Sequence, residues 1–251
     1  MEAFDDHKCA IISDLTAFRE FSWLVPVLGL YHLKLNATRT FLKRNWDVFI
    51  SVLVYQLGFQ SPKAQQYLLK GSNHHKSWQL MKVLYTAFSL ELVYPYVTEI
   101  QKLDKTPTVE GYWQWSEQVK NPNYVYIQHM MFTYLHALMM LRAGVRKCNH
   151  KLVQNARTKT AELFFGGNHP IYQKIIVEDA IATTLMPDEI RKVKEKHVSS
   201  SRTGHAGKFQ GGDALLEEVN KESKAWLKLS GIPSEERWLR IFRNLDDLNK
   251  V

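Results

Sequence analysis

Residues 124–141 read YVYIQHMMFTYLHALMML, and this stretch decides the fold class. On a helical wheel it is apolar in nearly every direction, interrupted by Gln128, His129 and His136. A helix that is hydrophobic all round has to be enclosed by other elements. It is also too short and too polar to read as a membrane span. Asn121-Pro122-Asn123 breaks the chain in front of it.

The flanking sequence supplies the enclosing helices. In residues 31–57, Leu42, Trp46, Phe49, Leu53 and Leu57 recur at spacings of three or four, with Lys43, Arg44, Asp47 and Ser51 on the other side and Gly58 as a stop. Pro62 opens a short helix, and a long one is predicted from about residue 75 past 90, to be kinked or ended by Pro95. Pro107 and Thr108 introduce a short helix carrying Trp113 and Trp115. Another is predicted over 145–165, stopped by Gly166-Gly167, and Pro170 and Pro187 open two more. In the second of these, Asp188 and Glu189 precede Arg191, Lys192, Lys194 and Lys196, the order that complements a helix dipole.

Two apolar runs at the front, Cys9-Ala-Ile-Ile and Trp23-Leu-Val-Pro-Val-Leu, read as short strands. Residues 198–212, VSSSRTGHAGKFQGG, are a basic Gly/Ser loop. A helix over 213–229 follows, and after Gly231-Ile232-Pro233 comes a last one with Trp238, Ile241, Phe242, Leu245 and Leu248 in one stripe. The predicted fold is therefore mainly α, a multi-helix domain with a small β remnant near the N-terminus. Its parts are a strand-containing segment (1–30), a helical region (31–197), the basic loop (198–212) and a C-terminal helical pair (213–251), treated as one domain.

Composition narrows the function classes. The 251 residues are 45% hydrophobic and 23% charged, with 7 Trp, 11 Tyr and 12 Phe, which is ample material for a packed core. A net charge of +8 favours a polyanion, DNA or RNA, as partner. The two cysteines form no C-x-x-C, and the start carries no basic-then-apolar leader, so the expected setting is intracellular, nuclear or cytoplasmic, without membrane attachment.

Chemistry-bearing motifs are sparse. The ten histidines show no metal-ligand spacing, and neither G-x-S-x-G nor a P-loop occurs. In the loop, Arg202, His205 and Lys208 among glycines suit a phosphate backbone, against a reading as a solvated loop. Glu217 and Glu218 are the weak catalytic candidates. Acids in early helical turns ordinarily serve the dipole, and Glu217 can pair with Lys221 at i+4.

Three segments together carry a resemblance: residues 23–36 (WLVPVLGLYHLKLN), residues 162–172 (ELFFGGNHPIY) and residues 211–224 (GGDALLEEVNKESK). Their order and spacing resemble the transposon-derived family called domain of unknown function 6589, which looks like a divergent RNase H-like transposase with a large helical insertion. The resemblance implies a degenerate RNase H-like core here. Its P-x-x-G-D-x-H motif stands as Pro26-Val-Leu-Gly29-Leu30-Tyr31-His32, with leucine where the acid belongs. Leucine cannot bind Mg²⁺, whose ligands are oxygens. The first acid would lie upstream, in sequence this chain lacks or has worn away, with Asp14 the nearest candidate. The late glutamate survives as Glu217 or Glu218, while His32, Lys34 and Asn36 stand either along the old groove or on the first turn of a helix. Asn168-His169-Pro170 reads as a helix start.

Three function classes follow. The first is a catalytically degenerate domain that retains nucleic-acid binding through Lys34, Arg202, His205 and Lys208, with no catalytic set intact and no cofactor. The second is a helical protein-interaction domain or gene fragment, which predicts an exposed apolar patch. The third is a metal-dependent nuclease or transposase, the one class that requires Mg²⁺ and hence several acids converging beside Glu217.

Overall fold

The computed structural model describes residues 27–71, 74–226, 234–236 and 239. The strand predicted at residues 9–12, Asp14, most of the strand predicted at 23–28, and the last amphipathic helix lie outside these residues. Within them the chain is mainly helical, with no strand and no helix long and apolar enough to cross a membrane.

The first helix, α1 (Leu30–Asn45), passes through a π-helical stretch, Trp46–Ile50, into α2 (Ser51–Gln56). The wide turn explains a departure from the predicted stripe. It inserts one extra residue, which rotates the following face by one position. Val54 is therefore buried, while Leu57 is exposed and Leu53 half-buried. Asn45, at the start of the wide turn, is buried but satisfied: its Nδ2 donates to the Phe41 carbonyl at 2.9 Å and its Oδ1 accepts from the Tyr126 hydroxyl at 2.8 Å. Gly58 follows with φ +95°, the left-handed stop.

Next come α3 (Pro62–Leu69), capped by the Ser61 hydroxyl, and α4 (His74–Lys102). Pro95 does not end α4. It and Glu91, whose carbonyl loses its i+4 donor to the proline ring, both lie on the exposed side, where water can replace the missing bond. Thr108 caps α5 (Val109–Ser116), and Asn121 caps α6 (Pro122–His129). A second π-helical stretch, Met130–Leu135, joins α6 to α7 (His136–Arg146) in one continuous rod, which is buried along one side from Met130 onward, while α6 has no buried residue and Val125, His129 and His136 are exposed. Met131, Leu135, Leu138 and Leu141 are completely enclosed, against Leu33, Phe41 and Leu42 of α1 among others.

The helix predicted over 145–165 is in fact broken. The chain turns at Lys147–Asn149, with Cys148 at φ +50°, and restarts as α8 (His150–Gly166) under an Asn149 cap. The two helices then fold back on each other. Gly144 allows this: a Cβ there would stand 2.9 Å from Val153 Cγ2 and 3.0 Å from its backbone nitrogen. After α8 come α9 (Pro170–Leu185), α10 (Asp188–Lys196) and α11 (Gly212–Trp226). The intervening loop is anchored at its base, where Ser200 and Gln210 exchange two backbone hydrogen bonds of 2.8 Å and Val198 and Ser199 are buried.

A buried ion triad ties α8, α9 and α10 together. Asp179 accepts from Arg157 and, at 2.9 Å, from Lys194, and all three side chains are at most 10% exposed. Burial alone would raise the Asp179 carboxyl, but the two cations outweigh it and hold it below the ordinary carboxylate range. Because the folded value is the lower one, this contribution is complete above pH 3.8 and is lost as pH falls further. Asp179→Ala should cost about 3–5 kcal/mol in urea unfolding at neutral pH, since it strands two buried cations. The gap between wild type and Asp179→Asn should narrow on acidification below 3.8. An unchanged midpoint in Asp179→Ala would show that the triad does not hold these helices.

Candidate functional site

The N-terminus of α1 receives its cap from far along the chain. Gly29, the residue before α1, offers no side chain to bond the first amides. The Asp213 carboxylate does so instead, accepting the Tyr31 N–H at 3.0 Å and the His32 N–H at 2.9 Å. A carboxylate at a helix N-terminus is favoured by both the free amides and the dipole. Two glycines admit it. A Cβ on Gly29 would stand 2.5 Å from Asp213 Oδ2, and one on Gly211 would stand 2.5 Å from Oδ1 and 3.0 Å from the Tyr31 nitrogen.

Asp213 also contacts His32 Nδ1 at 2.9 Å, and Glu217, one turn later on α11, meets His32 Nε2 at 2.9 Å. An imidazole thus bridges two carboxylates, of which a neutral ring can donate to only one. This donor set does not suit Mg²⁺. The Asp213 oxygens are taken by α1 and the ring, Glu217 faces the ring, and Leu30, where the resemblance expects the first acid, is 3% exposed in the hydrophobic core. Among the described residues no group of three or more His, Cys, Asp or Glu side chains is arranged to hold a metal ion.

Beside this bridge lies a cavity of about 480 Å³, between the start of α1, the start of α4, the end of α7 and α11. Its charged lining comprises five cations, Lys34, Arg39, Arg142, Arg146 and Lys221, and two carboxylates, Glu217 and Glu218. Lys34, Arg39, Arg142 and Arg146 have no acidic partner at ion-pair distance among the described residues. Aromatic faces hold two of them: Arg142 lies 4.6 Å over the Trp78 ring, and the Lys34 ammonium lies 5.4 Å from the Tyr31 ring centre. Burial, then the fields of Arg142 and Arg146, lower the Lys34 ammonium to about 8, partly opposed by Asp213. Burial and Lys34 lower His74 to about 4, so its ring is neutral at physiological pH. Arg39 Nε and His74 Nδ1 are buried without a hydrogen-bond partner.

The sequence candidates separate accordingly. Lys34, Glu217 and Glu218 line the cavity. Arg202, His205 and Lys208 do not: Arg202 donates to Glu222 at 3.1 Å and approaches Glu218 at 3.9 Å, and the other two are exposed. Glu218 also accepts from Gln210 at 3.1 Å. Asn36 bonds the Tyr172 hydroxyl at 2.8 Å, so it fixes α9 to α1. Asn168 has φ +53°, and no side-chain cap forms at His169 ahead of Pro170. Sequence reading missed Arg39, His74, Arg142 and Arg146. One signal was available, since Arg142 and Arg146 are like charges at i, i+4, a repulsive spacing, at the end of the apolar run.

The close approach around Asp213 gives a direct test. Gly211→Ala should displace the carboxylate and lose about 1–3 kcal/mol, as expected for stranding partly buried amides. Gly212→Ala, whose Cβ meets nothing within 4 Å, should be neutral or slightly stabilising. Equal thermal midpoints for the two variants would contradict the cap. In comparisons with known proteins, no family model, no curated protein and no solved structure matches this chain.

Proposed function

We propose that this protein is a nucleic-acid-binding domain without catalytic activity of its own, and that the cavity beside α1 is where it grips phosphate. The observation that carries this reading is a cavity where five cations outnumber two carboxylates, and where Lys34, Arg39, Arg142 and Arg146 make no ion pair among the described residues. Burial, and after it the fields of Arg142 and Arg146, lower the affinity of Lys34 for its proton. Such an arrangement is stabilised when an anion arrives, and the net charge of +8 favours a polyanion. The absence of a fitting metal set among the described residues speaks against the nuclease alternative. The resemblance of residues 23–36, 162–172 and 211–224 supports a transposon-derived, RNase H-like ancestry whose chemistry has lapsed, and with it an intracellular, nuclear or cytoplasmic setting.

One observation favours a second reading, a protein-interaction domain. Val177, Ile181 and Leu185 recur every four residues along α9 and are exposed, Leu185 by 78%. If that stripe is an interface, sedimentation should show association that Ile181→Lys abolishes, and a monomer at high concentration would exclude self-assembly through it.

Binding of labelled duplex and single-stranded oligonucleotides, titrated across ionic strength, tests the main reading. Affinity should fall steeply with salt, and Arg142→Gln should weaken binding and lower the log–log slope by about one. Lys102→Gln, at the other end of α4 and about 42 Å from His74 at 1.5 Å per residue, should change neither. Affinity should also decline as pH rises through about 8, where Lys34 loses its charge. No binding of any strand at low salt would refute the proposal.

A further inference from the structure

We infer that the cavity takes a terminal phosphomonoester, the dianionic group at the end of a nucleic-acid strand, in preference to the monoanionic diesters along its length. This rests on the nucleic-acid reading and narrows it.

The first argument is shape. Duplex DNA presents a charge about every 1.7 Å along its axis, so a protein that follows it needs cations spread along a path. Here the cations converge from α1 and α7 on one pocket of about 480 Å³, the size of a small-ligand site. The basic loop does not prolong the line, because Arg202 is already engaged by Glu222 and Glu218.

Charge gives the second. Five cations face two carboxylates, an excess of three. A phosphomonoester carries about −1.5 to −2 at neutral pH, a diester only −1. The monoester therefore offsets more of the mutual repulsion of Lys34, Arg142 and Arg146.

Third, donors stand ready. Stacking on Trp78 fixes the Arg142 guanidinium, which can bind two phosphate oxygens at once, and Lys34 and Arg146 line the same pocket. A terminal phosphate has three free oxygens to accept such bonds, whereas a diester has two. Glu217 and Glu218 on α11 repel the phosphate toward the α1 and α7 side. That leaves the α11 wall for the sugar, whose 2′-hydroxyl, present only in RNA, can donate to a carboxylate.

The test compares single strands of one sequence bearing a 5′-phosphate, a 3′-phosphate or hydroxyls at both ends, binding to the full-length protein. One of the phosphorylated strands should bind about 10–100-fold more tightly than the hydroxyl strand, the worth of one or two charge-assisted bonds. Arg146→Gln, a change at an exposed helix end, should shrink that difference. The difference should be largest between about pH 6, above which the phosphate is dianionic, and about 8, below which Lys34 is charged. Lys34 is faced here by Tyr31, Arg39, His74, His75, Arg142, Arg146, Asp213 and Glu217. Equal binding of all three strands would overturn the inference and leave general nucleic-acid binding standing. A nucleoside monophosphate that competes as well as the phosphorylated strand would also overturn it, because the strand would then contribute nothing. Failure of every strand to bind at low salt would instead refute the nucleic-acid reading itself.

Discussion

The Asp213 carboxylate seated on the first amides of α1 is the contact on which the site depends. It crosses 182 residues of sequence to satisfy donors that the local chain leaves open, because glycine stands where a capping side chain would be. By doing so it fixes the start of α11 against the start of α1. That places Glu217 on His32 and Glu218 on the cavity wall, and it turns the end of the basic loop toward α7, where the Gly207 N–H donates to the Arg146 carbonyl at 3.0 Å. Gly29 and Gly211 are the steric condition for the contact, since any side chain at either would occupy the carboxylate's place.

The electrostatics of the cavity follow from that placement. Asp213 is held on α1 and Glu217 on His32, and the field of Asp213 only partly opposes the burial and the fields of Arg142 and Arg146 that lower the Lys34 ammonium. The Asp179 triad shows the alternative arrangement within the same chain, where two cations share one buried acid at ion-pair distance. The contrast separates the two clusters by role: one is closed and structural, the other open and uncompensated.

Much of the helical framework could be read from sequence, because it is written in local signals. Ser61, Thr108 and Asn121 cap where such residues should, and the apolar run at 124–141 is helical as predicted, though it is enclosed only from Met130 onward and on one side, with Val125, His129 and His136 exposed. What was not legible depends on neighbours distant in sequence. The wide turn at Trp46–Ile50 shifts the buried stripe because Asn45 finds Tyr126 81 residues away, and the break at Cys148 serves a close approach that a single Gly144 permits. The site divides in the same way. Lys34, Glu217 and Glu218 stood out as residue types, but Asp213 looked like an ordinary acid in the first turn of its own helix, and its carboxylate caps a different one. The cations of α7 and His74 of α4 gain meaning only from meeting Lys34 in space.

The three segments that carry the resemblance also meet. Residues 27–36, the described part of the first, and 211–224 join through Asp213, and residues 162–172 reach α1 through Tyr172 on Asn36 and through Gly167, whose missing side chain leaves room for Thr40. Short motifs scattered over 200 residues that assemble at one place constrain each other, so their common purpose has to be sought at that place. A core leucine at position 30 removes one oxygen a divalent cation would need, and the imidazole of His32 occupies the space between the two acids that remain. Around them stand the cations of α1 and α7, which make no ion pair among the described residues. Binding is less demanding than in-line phosphoryl transfer, which needs metals placed within tenths of an ångström. Under the proposed reading, the looser requirement is the one these side chains meet.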